Sequence, residues 1–195
     1  MSFTAKRYVA DLHLGHASII TNCARPFRDT AEMDAELVRR WNAVVGKDDL
    51  TYILGDYGRP GQDVFAFRRL FHSLAGRKVL ILGNHDVDSK GRVLPEIGAL
   101  PWDQPPTHLL ETRDGGRRVI LSHYAMRTWP ASHYGSVHFY GHSHGRLPGV
   151  GLSRDVGVDM PDVAFQPRTF AELTKGWDFE PRTAPVAEPV LECAP

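Results

Sequence analysis

Five short apolar runs in this chain end in the residue types that hold cations. Tyr8-Val9-Ala10 breaks into Asp11-Leu12-His13, and the run over 50–54 ends in Gly55-Asp56. The run over 78–82 ends in Gly83-Asn84-His85-Asp86, the run over 117–122 in His123, and the run over 137–140 in Gly141-His142-Ser143-His144. The candidate ligands are therefore Asp11, His13, Asp56, Asn84, His123, His142 and His144. Carboxylate, imidazole and one amide oxygen without thiolate form a hard-to-borderline set, suited to Mn, Fe, Zn or Ni and unsuited to copper(I) or an iron–sulfur cluster. Seven groups exceed what one tetrahedral ion takes; they suit two ions about 3.5–4 Å apart that share a bridging carboxylate. Asp56 is the natural bridge, as the single acid on the central strand between the two halves of the set. The glycines at 55, 83 and 141 fit the same picture, since a strand turning sharply into a ligand needs positive φ or close backbone approach.

These groups need a scaffold, and the periodicities supply one. Residues 6–10 read as a first strand, followed over 15–23 by a loop with a short helical turn carrying Ile19 and Ile20. Arg25-Pro26-Phe27 enforces an extended segment. Asp29 with Glu32 forms a capping box, and Met33, Leu37, Trp41 and Val44 recur at helical spacing up to Gly46. Strands are expected over 50–54 and 78–82, with an amphipathic helix over 63–74 between them that Gly76 closes. Strand and helix alternating in this way predict βαβ units on a parallel sheet, which collects active groups at the C-terminal strand edge. Leu94, Ile97 and Leu100 mark a short helix. Asp114-Gly115-Gly116 predicts a hairpin between strands over 108–113 and 117–122, so part of the sheet structure must be antiparallel. Further strands are expected over 137–140 and 155–159, with a last helical turn over 170–174. One domain is expected over 1–177, followed by a mobile Pro-rich tail over 178–195.

Bulk composition narrows the function classes. A chain of 195 residues suits one domain with a full core. Lys plus Arg and Asp plus Glu balance at 23 each, so no global field steers the protein onto nucleic acid or an anionic membrane. Cys23 and Cys193 lie far apart without Cys-x-x-Cys spacing, which argues against a disulfide framework or a zinc finger. With no apolar signal-peptide core and no window of roughly 18 apolar residues, the expectation is a soluble cytoplasmic protein without membrane contact.

The ordered set Asp11-x-His13, Gly55-Asp56, Gly83-Asn84-His85-Asp86, His123 and Gly141-His142-Ser143-His144 resembles the calcineurin-like metallophosphoesterase superfamily, over roughly residues 6–160. The resemblance implies a four-layer αββα sandwich of two mixed β-sheets flanked by helices. It implies one metal held by Asp11, His13, Asp56 and His144, and a second held by Asp56, Asn84, His123 and His142. It assigns His85 to contact the phosphoryl group and assist the leaving group. The implied activity is hydrolysis of a phosphomonoester or phosphodiester by in-line attack of hydroxide activated between two divalent ions, manganese foremost and iron, zinc or nickel as alternatives. Tyr57-Gly58-Arg59-Pro60 after Gly55-Asp56 departs from the Val-Asp-Arg-Gly of the protein Ser/Thr phosphatases. The chain also lacks the length for the capping domain of the double-strand-break nucleases. It more closely resembles the small single-domain bacterial and phage members, where His16, Arg25-Pro26-Phe27 and a His-Tyr-x-x-Arg-x-Trp run like His123 to Trp129 are familiar.

Outside the ligand set, Arg25 and Arg127 are candidates for a guanidinium clamp on phosphate, because the planar fork suits that anion. His16 either touches phosphate or caps the turn after it, and Asp86 either orients His85 or supports the site from behind. His133 and Tyr134 could reach the site from a loop; His72, His108 and His138 read as surface or core histidines, Trp41 as core, and Trp102 and Trp129 either as core cover or as lining of a substrate pocket. The expected partner is the phosphoester substrate, with nucleic acid entering only as a substrate and homo-oligomers compatible with the sequence. Two other functions fit: a metal-dependent nuclease, which needs a basic groove, and a non-catalytic metal-binding scaffold, which would leave His85 without a role.

Overall fold

A computed structural model describes residues 4–59 and 63–179. The tail expected over 178–195 lies outside them from residue 180 onward. β1 (Lys6–Val9) pairs in parallel with β2 (Leu50–Leu54), and β2 with β3 (Arg77–Ile81). Between them run α1 (Ala17–Asn22), α2 (Thr30–Val44) and α3 (Val64–Ser73). The Asp29 carboxylate caps α2 by accepting from Glu32 N–H. Glu32 reaches the amide of Arg28 rather than that of Asp29, so the expected capping box is half formed.

After the one-turn α4 (Pro95–Gly98), the hairpin of β4 (Leu109–Asp114) and β5 (Arg117–Ser122) opens a second sheet. Its two turn residues, Gly115 and Gly116, both take positive φ, as a tight primed turn demands. β6 (Val137–Tyr140) and β7 (Ser153–Asp155) extend this sheet in parallel. β8 (Arg168–Thr169) returns to pair antiparallel with β1, and α5 (Phe170–Leu173) follows under a full Thr169–Glu172 capping box. The sheet orders are β3-β2-β1-β8 and β4-β5-β6-β7, both mixed.

Side-chain alternation along the strands builds two cores. Val9, Ile53 and Leu80 face the helices and pack with Met33, Leu37, Trp41, Phe67 and Phe71. Tyr8, Tyr52 and Val79 face the second sheet and pack with Val119, Leu121, Val137 and Phe139. The far side of the second sheet is covered by the segment over 124–136, where Trp129 lies on His138 and one 3-10 turn, Ser132–Tyr134, is the only regular piece.

The strand expected over 155–159 is displaced: β7 ends at Asp155 because the chain there crosses between sheets. Val156 N–H donates to Tyr140, while Ala10 N–H donates to the Val156 carbonyl and Val158 N–H to the Ala10 carbonyl. This stitch sets the C-terminal ends of β1 and β6 side by side. β8 was not foreseen, being two residues long.

Candidate metal centre

All seven expected ligands meet where β1, β2, β3, β5 and β6 end. Their backbone is strained into place: Asp11, His13, Asp56, His142 and His144 all have φ between 49° and 66°, a left-handed region that non-glycine residues enter at a cost. Crowding explains the glycines. A Cβ at Gly55, Gly83 or Gly141 would sit 2.2, 2.3 and 2.5 Å from His123 Nδ1, Asp56 Oδ1 and Ala10 Cβ.

An inner group comprises Asp11, His13 and His144, whose ligand atoms all lie within 4.8 Å of one another. Asp11 is fully buried and accepts the His142 N–H with both oxygens, at 3.1 and 2.9 Å. The His144 ring stacks on His13 and its Nδ1 lies 2.7 Å from Asp159, which leaves Nε2 free for the site. His13 Nε2 is buried without a hydrogen-bond partner, 3.5 Å from Asp56 Oδ2.

An outer group comprises Asn84, His123 and His142. His123 Nδ1 gives its proton to the Leu54 carbonyl at 2.8 Å, so Nε2 presents a lone pair 3.0 Å from Asn84 Oδ1 and 3.6 Å from Asp56 Oδ2. Asn84 Oδ1 also lies 2.9 Å from His142 Nδ1. Asn84 and His142 are exposed. Asp56 thus stands between the groups, with one oxygen facing both His13 and His123.

The electrostatics suit cations. Burial, reinforced by Asp56, Asp155 and Asp159, pushes the Asp11 carboxyl well above its usual range. Burial, then Arg25 and the neighbouring histidines, lowers His13 to about 2, and burial also lowers His123. Neutral imidazoles with converging lone pairs, an orphaned Nε2 and two buried carboxylates are the donor set a divalent ion requires, and the residues fit one.

Other expectations fare differently. Arg25 is buried and is not a phosphate clamp. Its Nε and Nη2 donate to the two oxygens of Asp159 at 2.8 Å, and Nη2 and Nη1 cap the carbonyls of Asp11 and Leu12 at 2.7 and 2.9 Å. Asp86 is buried beneath the site, and its carboxylate accepts the amides of Asp56, Tyr57 and Gly83 rather than orienting the His85 ring. Burial raises it to about 7. His85 stands beside His13 and His16, with ring centroids 5.0 and 5.1 Å away, and its amide donates to Asp56 Oδ1. His16 Nδ1 lies 3.2 Å from His13 Nδ1 and its Nε2 2.9 Å from Ser18 Oγ. Arg127 is exposed on the loop after β5. His138 is a core histidine, held by the Ile120 carbonyl and the Met126 amide.

Sequence reasoning missed Asp159 and Asp155. Asp155 accepts from Ser143 Oγ and the amides of Gly145 and Gly157, holding the loop that carries His142 and His144. Asp159 closes the apolar run Val156-Gly157-Val158 in the same way that Asp11 and Asp56 close theirs, so its signal was present.

Two mixed sheets gathering acids and imidazoles at one edge define a metal-site α/β protein. Residues 8–123 match the model of the calcineurin-like phosphoesterase family. The chain is 41% identical over 167 residues to the Gene 66 protein of Mycobacterium phage L5, covering 70% of this chain and 76% of that protein. It is 40% identical over 86 residues to an uncharacterised protein of Methanocaldococcus jannaschii, covering 44% of this chain and only 49% of that one. The crystal structure of a protein of unknown function from Aquifex aeolicus shares the fold, with a TM-score of 0.67 at 22% identity over 89% of this chain and 99% of that one. The chain belongs to the calcineurin-like phosphoesterase family. No helix among the described residues is long and apolar enough to cross a membrane.

Proposed function

We propose that the protein hydrolyses a phosphoester with two divalent ions, manganese foremost, one held by Asp11, His13, Asp56 and His144 and the other by Asp56, Asn84, His123 and His142. The observation that carries this reading is the place of Asp56, whose Oδ2 lies 3.5 Å from His13 Nε2 and 3.6 Å from His123 Nε2. When bound, such ions neutralise phosphoryl charge and supply a nucleophilic water at neutral pH. The chain's own contribution is positioning. Asp86 fixes the amides that aim Asp56, and Asp159 holds the ring of His144. His85, half-buried beside the inner group, is placed to protonate the departing oxygen, a role worth about 10²–10⁴-fold in rate.

The test is a panel of aryl phosphates, nucleotides, cyclic nucleotides, sugar phosphates and polynucleotides, with protein stripped by EDTA and reloaded with manganese, nickel, iron or zinc. Turnover should vanish with EDTA and return with manganese. Asp56→Asn should lose both metal and turnover, whereas His85→Ala should keep its metal and lose rate on substrates with poor leaving groups. Full activity in the Asp56 variant would sink the two-metal reading.

A further inference from the structure

Tyr124 is the largest side chain at the outer end of the cluster and has no part in the function proposed above. It is 51% exposed although it follows a buried strand. Its ring stands edge-on to His123 and His142, with centroids 5.0 and 4.7 Å away. Its backbone is fixed, because Ser122 Oγ donates to the Tyr124 carbonyl at 2.7 Å and Met126 N–H two residues on donates to His138 Nε2 at 3.1 Å. An aromatic ring on a fixed backbone, edge-on to two imidazoles and with half its surface in water, is a ready platform for another ring.

The order of groups decides what reaches this ring. His85 contacts the rings of His13 and His16; Asp56 lies between His13 and His123; Tyr124 contacts the rings of His123 and His142. A phosphoryl group centred on Asp56 would turn its leaving oxygen toward His85. Whatever then extends toward Tyr124 is a group that stays on phosphorus, and a monoester has none.

Resting on the phosphoesterase reading, we propose that the substrate is a phosphodiester whose retained ester group carries an aromatic ring, and that Tyr124 stacks on that ring to set specificity. In hydrolysis, water adds to phosphorus as the P–O bond to the leaving group breaks. With a p-nitrophenyl leaving group at alkaline pH, p-nitrophenolate departs, the retained group remains as its monoester dianion, and two protons go to solvent.

The experiment compares phenyl p-nitrophenyl phosphate with methyl p-nitrophenyl phosphate on manganese-loaded protein. The leaving group is common to both and needs no acid, so the ratio of their kcat/KM values reports the retained group alone. Stacking of a base on an aromatic side chain is typically worth about 5- to 150-fold. Tyr124→Ala should lower the phenyl-to-methyl ratio by a factor in that range, and Tyr124→Phe should keep it. Equal losses on both diesters in Tyr124→Ala would mean that the ring only packs against His142, and would overturn the proposal. So would p-nitrophenyl phosphate turning over faster than either diester in the parent protein. Turnover of none of the three would instead strike the phosphoesterase reading itself.

Discussion

Asp11, His13 and His144 stand on buried charge, whereas in the outer group His123 rests buried on a neutral carbonyl and Asn84 and His142 open to solvent. Beneath the inner group, Arg25 forks onto Asp159, Asp159 holds His144, and Arg25 also caps the carbonyls of Asp11 and Leu12. Beneath the outer group, His123 rests on the Leu54 carbonyl, while Asn84 and His142 are exposed. On the two-ion reading proposed above, the two halves would meet the same ion type with different prior costs. Burying Asp11 among Asp56, Asp155 and Asp159 crowds carboxyl groups whose repulsion a bound cation relieves, so the inner half gains most from being filled. The outer half, with its amide and solvated imidazole, gains less. Manganese should therefore bind the stripped protein in two calorimetric steps, the tighter one belonging to the inner half.

The comparison breaks most visibly at Arg25. Removing one partner of a buried ion pair leaves the other uncompensated, typically at a cost of about 3–5 kcal/mol. Arg25→Met should lower the denaturant midpoint of the stripped protein accordingly. His142→Ala, on the exposed side, should stay within about 0.5 kcal/mol of the parent protein. Similar losses for the two variants would show that both halves rest on the same kind of support.

A second support sharpens the same contrast. Asp34 on α2 accepts the Gly15 amide with both oxygens at 3.1 Å and so holds the turn between His13 and His16. Burial raises its pKa from 3.8 to about 6, against the opposing pull of the Gly15 amide and Arg25. The native state therefore takes up this proton more readily than the unfolded chain. Stability falls as pH rises between the two values, and the full cost, roughly 3 kcal/mol, is present above about pH 6. Asp34→Asn keeps an acceptor for Gly15 and removes the charge. It should raise the stability of the stripped protein in urea at neutral pH and give no gain near pH 4; an equal gain at both would refute the charge argument.

The strand-end acids and imidazoles were legible because each marks a switch from an apolar run to a polar residue, a pattern local in sequence. Gly55, Gly83 and Gly141 were legible for the same reason, and each proves to be crowded by its neighbours. Arg25 was misread because its loop position suggests exposure, while its fate is set by Asp159, 134 residues away. No local pattern carries that pairing. Asp86 shows a related limit. Its neighbour His85 suggested a side-chain partner, yet a buried carboxylate is better served by three backbone amides than by one ring. β8 is too short for any period to register, and β7 was misplaced because extended chain that stitches two sheets looks, in sequence, like a strand of one.

The finest difference between the halves concerns how each histidine is told which nitrogen to offer. In the outer half, His123 is set by a carbonyl. In the inner half, His13 is set by another imidazole, and the assignment runs outward from its orphaned Nε2. If Nε2 is the ligand atom, the proton sits on Nδ1 and is donated to His16 Nδ1 at 3.2 Å; His16 must then carry its own proton on Nε2 and give it to Ser18 Oγ at 2.9 Å. On that assignment His16 would act as a positioning residue for the proposed inner ion. Loss of such a partner typically costs 10–100-fold in metal affinity. His16→Ala should weaken the first manganese step by about that factor and leave the second unchanged. His16→Gln, whose side-chain oxygen can accept the same proton, should recover most of it. Equal weakening of both calorimetric steps, or no rescue by glutamine, would show that His16 merely fills space between α1 and the site.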